Sequence, residues 1–139
     1  MMSLENTTIV EILDTFEFLE DWEDKYRYII DLGRKLPPLD ESEMTEEYKV
    51  RGCQSQVWLV PEVADDGRIH LRGDSDAHIV KGLVAIMLLI FSGKTAAEIR
   101  ETDARAILDQ LGLASHLSPL RANGLFAMVE RIYAIAEAA

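Results

Sequence analysis

Apolar residues recur at helical spacing early in the chain, where Ile9, Ile12, Leu13, Phe16 and Leu19 fall on or near one face. Thr8 and Glu11 enter that run as a capping-box pair, so the pattern predicts a first amphipathic helix. Asp21 is the natural N-cap of a second, with Trp22, Tyr26, Ile29 and Ile30 on or near one face and Gly33 placed to end it. Pro37 and Pro38 enforce a turn. Ser42 is placed to cap a short acidic helix through Tyr48, which leaves Val50-Arg51-Gly52-Cys53 as a connection.

The period then changes. Residues 54–60 are rich in strand formers, and Ile69 and Leu71 alternate with polar neighbours after the turn signal Asp65-Asp66-Gly67. Two paired strands are expected. An isolated hairpin is marginal, so a third strand or a helix must cover its apolar face, and no third strand is evident. A helix over 77–91, capped by Ser75 or Asp76, is apolar almost all round and belongs in the middle of the domain, with Gly93 as its stop. Thr95 with Glu98 opens a short helix, and Asp103 opens one that ends near Gly112. Ser118-Pro119 or Asn123 starts the last, which packs Leu125, Met128, Val129, Ile132 and Ile135. Helices, strands, then helices, without βαβ alternation or repeat, predict an α+β fold in which a small antiparallel sheet packs against helices. No linker divides the chain, so residues 1–139 read as a single domain.

Composition narrows the possible functions. A chain of 139 residues can bury roughly two-thirds of the surface its unfolded form exposes. With 14 Lys and Arg against 25 Asp and Glu, the formal charge of −11 repels phosphate backbones and anionic lipid. Neither nucleic acid nor membrane is an expected partner. The apolar run at 83–91 is too short for a membrane span, and residues 1–6 lack the basic and apolar regions of a signal peptide. One cysteine cannot close an intramolecular disulfide, which fits a reducing cytoplasm.

That cysteine, Cys53, is the main candidate for chemistry. A lone cysteine is ordinarily a small buried hydrophobe, yet this one lies between Gly52 and a Gln54-Ser55-Gln56 stretch, with no apolar side chain beside it in sequence. Gly52 lets the backbone turn or be approached closely, and Arg51 next to it would favour the thiolate. His70 or His78 could serve as its base, with Asp74 or Asp76 as orienter, as a stand-alone hydrolase or peroxidase would need, although no local signature supports this. His70, His78 and His116 form no close ligand pair, so a metal site is not expected. Asp74 and Asp76 otherwise favour the start of the central helix. Arg121 is either a surface residue or the partner of a carboxylate that locks its loop.

Beyond these local readings, Val50-Arg51-Gly52-Cys53-Gln54-Ser55-Gln56-Val57-Trp58 resembles the signature of the SufE-type cysteine desulfuration proteins. The resemblance continues in order through Asp21-Trp22-Glu23, the Leu32 to Leu39 turn, Gly73-Asp74-Ser75-Asp76-Ala77, Ile79-Val80-Lys81-Gly82-Leu83, Ser92-Gly93 and Arg121-Ala122-Asn123-Gly124-Leu125, covering about 16–132. Leu120 and Ala122 depart from it, standing where small hydroxyl residues commonly flank the arginine. The resemblance implies a fold similar to that of iron–sulfur scaffold proteins. It also implies that Cys53 takes sulfane sulfur, as a persulfide, from a SufS- or CsdA-like cysteine desulfurase, stimulates that enzyme, and passes sulfur to a downstream acceptor or cluster scaffold for iron–sulfur cluster assembly. Pyridoxal phosphate would be the partner's cofactor and this chain would need none. Arg51, Gly52, Gln54, Ser55, Asp74 and Arg121 are the implied loop supports or partner contacts. A persulfide must be shielded from passing thiols and oxidants, so the loop is expected to hide Cys53 until a partner docks.

Overall fold

The computed structural model describes residues 7–139, so residues 1–6, read above for targeting signals, lie outside it. Helix α1 spans Ile9–Phe18, and the Thr8 hydroxyl accepts from the Glu11 amide at 3.3 Å. Leu19 falls just past its end. Helix α2 spans Trp22–Arg34 behind Asp21. Gly33 does not stop it. Instead, Gly33 and Gly82 let two helices cross closely: a Cβ on Gly33 would stand 2.7 Å from the Gly82 nitrogen, and one on Gly82 would stand 2.0 Å from the Ile29 carbonyl oxygen.

The acidic helix expected from Ser42 to Tyr48 is only a 3-10 turn, Glu41–Glu43, capped by Asp40. Beyond it a turn bonds Tyr48 to the Thr45 carbonyl, and the chain then joins the sheet, as Leu59 donates to the Tyr48 carbonyl at 2.9 Å and Val50 to that of Val57 at 2.8 Å. Long-range pairing has overridden a weak local helix signal. Strands β1 (Val57–Val63) and β2 (Arg68–Ser75) form an antiparallel pair running from Val57 opposite Ser75 to Val63 opposite Ile69. The third strand, β3, is Lys94–Thr95, paired to β2 at Arg68 and Ile69. Two residues carry no period, which explains its invisibility in the sequence.

Strand β1 reads as a continuous apolar run because both its faces are covered. Val57 and Leu59 face the helices, while Trp58 and Val60 pack with Leu39, Met44 and Tyr48 in a smaller cluster. Over that second face Arg72 donates to Glu43 at 2.9 Å, and the guanidinium holds the Glu43 carboxyl below the usual carboxylate range.

Helix α3 (His78–Phe91) is buried along most of its length, as its pattern predicts. Ser75 and Asp76 do not occupy its cap, which falls at Ala77. Helices α4 (Ala96–Glu101) and α5 (Ala104–Leu111) are capped by Thr95 and Asp103, with Gly112 in the left-handed conformation after α5. A short α6, Leu113–His116, was not expected. Helix α7, Pro119–Ala138, starts behind Ser118, the first of the two predicted starts. Among the described residues one apolar cluster draws on all seven helices and on β1 and β2, so the architecture is the α+β arrangement expected. Among the described residues no helix is long and apolar enough to cross a membrane.

Candidate functional site

The residues before β1 form a short loop, and Cys53 sits at its turn. Gly52 has φ +89°, and a side chain there would meet Ala127 of α7 at 3.3 Å. Only glycine suits the position, for conformation and for space. The turn directs Cys53 inward, where its Sγ donates to the Gly124 carbonyl of α7 at 3.5 Å. Cys53, Gln54 and Ser55 line a pocket of about 20 Å³ with Val80, Leu83, Leu120, Arg121, Gly124 and Met128. That space holds about one water-sized group.

The thiol is half-buried, and burial pushes its pKa up. The expectation that Arg51 favours the thiolate is not met. Arg51 projects into solvent and lies 3.7 Å from Glu46, so its charge is spent away from the sulfur.

Asp74 is also placed differently from the helix-cap expectation. It is buried, and it accepts from the Leu39 amide at 3.3 Å, from the Ser75 amide at 2.8 Å and from Lys81 Nζ at 3.2 Å. It ties the segment before the 3-10 turn to β2 and α3 and does not line the Cys53 pocket. Asp76 does reach the loop, accepting from the Gln56 amide at 3.1 Å and from Gln56 Nε2 at 3.4 Å. The Ser75 hydroxyl donates to the Gln56 carbonyl at 2.7 Å. Gln56 is thereby the fixed downstream end of the loop.

Arg121 lies in the first turn of α7 at the mouth of the pocket, its amide bonded to Ser118 Oγ at 3.3 Å. No carboxylate among the described residues pairs with its guanidinium, so the locking partner considered from the sequence is not found. Leu120 beside it is exposed.

The histidines are elsewhere. His70 is exposed on β2, and His78 is exposed at the start of α3. His116 stacks on Trp22 at 3.9 Å between ring centroids and places Nδ1 3.0 Å from the Gly112 carbonyl oxygen. None of them lines the Cys53 pocket. The residue that local reading missed is Gly124. Its available signal was an isolated glycine inside a helical pattern, which costs about 1 kcal/mol against alanine and so points to a packing or functional reason.

Fold and site together define a class: a small α+β protein whose single cysteine rides a surface loop and is tucked against a long C-terminal helix. The sequence profile of the SufE family, described as an Fe-S metabolism associated domain, matches residues 10–136. The chain belongs to the SufE family. It is 53% identical over 134 residues to an uncharacterised SufE-like protein of Rhizobium meliloti (strain 1021), covering 94% of this chain and 96% of that one. It is 42% identical over 127 residues to the sulfur acceptor protein CsdE of Escherichia coli (strain K12), covering 91% and 86%. The solution structure of a hypothetical protein from Thermus thermophilus shares the fold, with a TM-score of 0.75 at 22% identity, covering 100% and 98% of the two chains.

Proposed function

We propose that this protein is a sulfur acceptor and carrier for iron–sulfur cluster assembly, and that Cys53 is the atom-bearing site. The observation that carries the reading is a half-buried thiol on a loop, against a pocket with room for about one more group. In the transfer step the Cys53 thiolate attacks the outer sulfur of a donor persulfide. A new S–S bond forms at Cys53, the donor S–S bond breaks, and the donor cysteine leaves as a thiolate that takes up a proton. One thiol and one persulfide give one persulfide and one thiol, so no external oxidant or reductant enters. The outer sulfur, once on Cys53, fits the pocket beside Gly124 and is screened from solvent thiols there.

The donor in this reading is a SufS- or CsdA-like cysteine desulfurase, which supplies the pyridoxal phosphate; this chain brings no cofactor of its own. It stimulates the desulfurase by removing sulfur from it and hands the sulfur to a downstream acceptor or cluster scaffold in the cytoplasm. Arg51 and Arg121, both exposed, and Gln54 and Ser55 on the loop are its partner-facing residues, while Gly52 shapes the turn and Asp74 braces the fold behind it. The sulfur acceptor name of the E. coli relative supports the assignment. A stand-alone hydrolase or peroxidase draws no support from the site, because the side chain of Cys53 bonds to a backbone carbonyl and to no histidine.

Desulfurase turnover of cysteine, followed by alanine release with and without this protein, tests the reading. Wild type should raise the rate and Cys53→Ser should abolish the increase. Full stimulation by Cys53→Ser would reject the relay.

A further inference from the structure

Gly124, Ala127 and Arg131 recur at helical spacing along one face of α7. Each meets the segment that carries Cys53. The Gly124 carbonyl receives the thiol, Ala127 lies under Gly52, and Arg131 reaches the stem of the loop. Its Nη1 donates to the Lys49 carbonyl at 3.2 Å and its Nη2 to the Glu47 carbonyl at 2.6 Å. Two small residues let the loop lie on the helix, and the arginine clips the strand of chain leading into it.

Apart from the exposed ion pair of Arg51 with Glu46, the loop is otherwise tied, among the described residues, only at its ends. Val50 is buried and bonded to Val57, and Gln56 is held by Ser75 and Asp76. Between them, the backbone of residues 51–55 makes no hydrogen bond to the rest of the described chain. A guanidinium directed at two main-chain carbonyls, rather than at a carboxylate, fixes a backbone path with the geometry of a planar fork.

We propose that Arg131 is a positioning residue for Cys53: by holding the carbonyls of Glu47 and Lys49 on α7, it confines loop opening to residues 51–55 and keeps the thiol closed onto Gly124 in the free protein. Without the clip, the upstream stem lifts together with the loop and Cys53 opens more often. The proposal deepens the reading of Cys53 as the reactive thiol, and its test needs no desulfurase.

The rate of Cys53 alkylation by iodoacetamide in the free full-length protein reads the open fraction. Arg131→Met keeps the aliphatic stem and removes the fork; with two hydrogen bonds lost, alkylation should rise roughly tenfold. Arg131→Lys, which offers a point donor instead of a fork, should fall between Arg131→Met and wild type. Tyr133→Phe removes another bond from the same helix to a loop, that from Tyr133 to the Thr102 carbonyl at 2.6 Å, and should label at the wild-type rate. An unchanged rate in Arg131→Met, or an equal rise in Tyr133→Phe, would overturn the proposal. If thermal melting shows Arg131→Met unfolded, Arg131→Lys decides alone: faster labelling supports the clip and a wild-type rate overturns it. Failure of sulfur acceptance would register separately, as wild-type Cys53 that gains no sulfur from a desulfurase.

Discussion

Desolvation is the cause that shifts the Cys53 thiol, and it favours the protonated form. A protonated thiol is a poor nucleophile, so in the proposed relay the closed loop would hold the thiol in a less reactive form. Alkylation of the free protein should therefore follow a pH midpoint above the ordinary thiol value of about 8.5, and a midpoint at or below that value would contradict the closed site. The same shift has a stability consequence. An acid whose folded pKa is raised contributes its full stabilisation below the unfolded value and loses it as pH rises through the folded one, so this contribution fades on the alkaline side. Gly124 is the second residue that sets the chemistry. A methyl group there would stand 3.4 Å from the sulfur, in ordinary contact, and would occupy space now open beside it. Gly124→Ala should raise the melting temperature by a few degrees, since alanine gains about 1 kcal/mol in a helix interior, yet slow sulfur loading at Cys53. Loading at the wild-type rate would show that the space is not used. Cys53 could be singled out from its polar neighbours in the sequence. The idle charge of Arg51 could not, because adjacent positions say nothing of where a long side chain points.

Among the elements, α2 and α3 set the frame that the loop rests on. Their crossing depends on a glycine pair, and Gly82→Ala would drive a methyl group into the Ile29 carbonyl. The expected loss is about 3 kcal/mol or more, at the upper end for overpacking, read as a lower denaturant midpoint. A loss under about 1 kcal/mol would mean that the helices separate easily. Helices opened by a recognisable cap, α1, α4, α5 and α7, were legible in the sequence, and α3 was legible from its run of apolar residues. Gly33 was misread because glycine marks both a helix stop and a close helix contact, and only the partner helix distinguishes them. The stretch at 41–48 was misread because its end is claimed by β1, where the Tyr48 carbonyl accepts from Leu59, a partner beyond any local window.

At the scale of the whole molecule, the site is assembled from distant parts of the chain. The contact between Cys53 and Gly124 spans 71 positions, and the bond from Arg131 to Lys49 spans 82. No local pattern can reveal such a meeting, and for that reason the supporting residues were harder to read than the thiol. The α+β order was visible because it depends on periodicity within each element, and the central helix because its apolar residues run almost all round. The surplus of acidic residues, which gives −11 overall, repels phosphate backbones. The most direct measurement is the mass of the protein after a single turnover with a cysteine desulfurase and cysteine, followed by mapping of the modified peptide. One added sulfur atom, confined to the peptide containing Cys53 and removed by a reducing thiol, is the expected result. An unmodified Cys53 after the desulfurase has turned over would contradict sulfur acceptance by this protein.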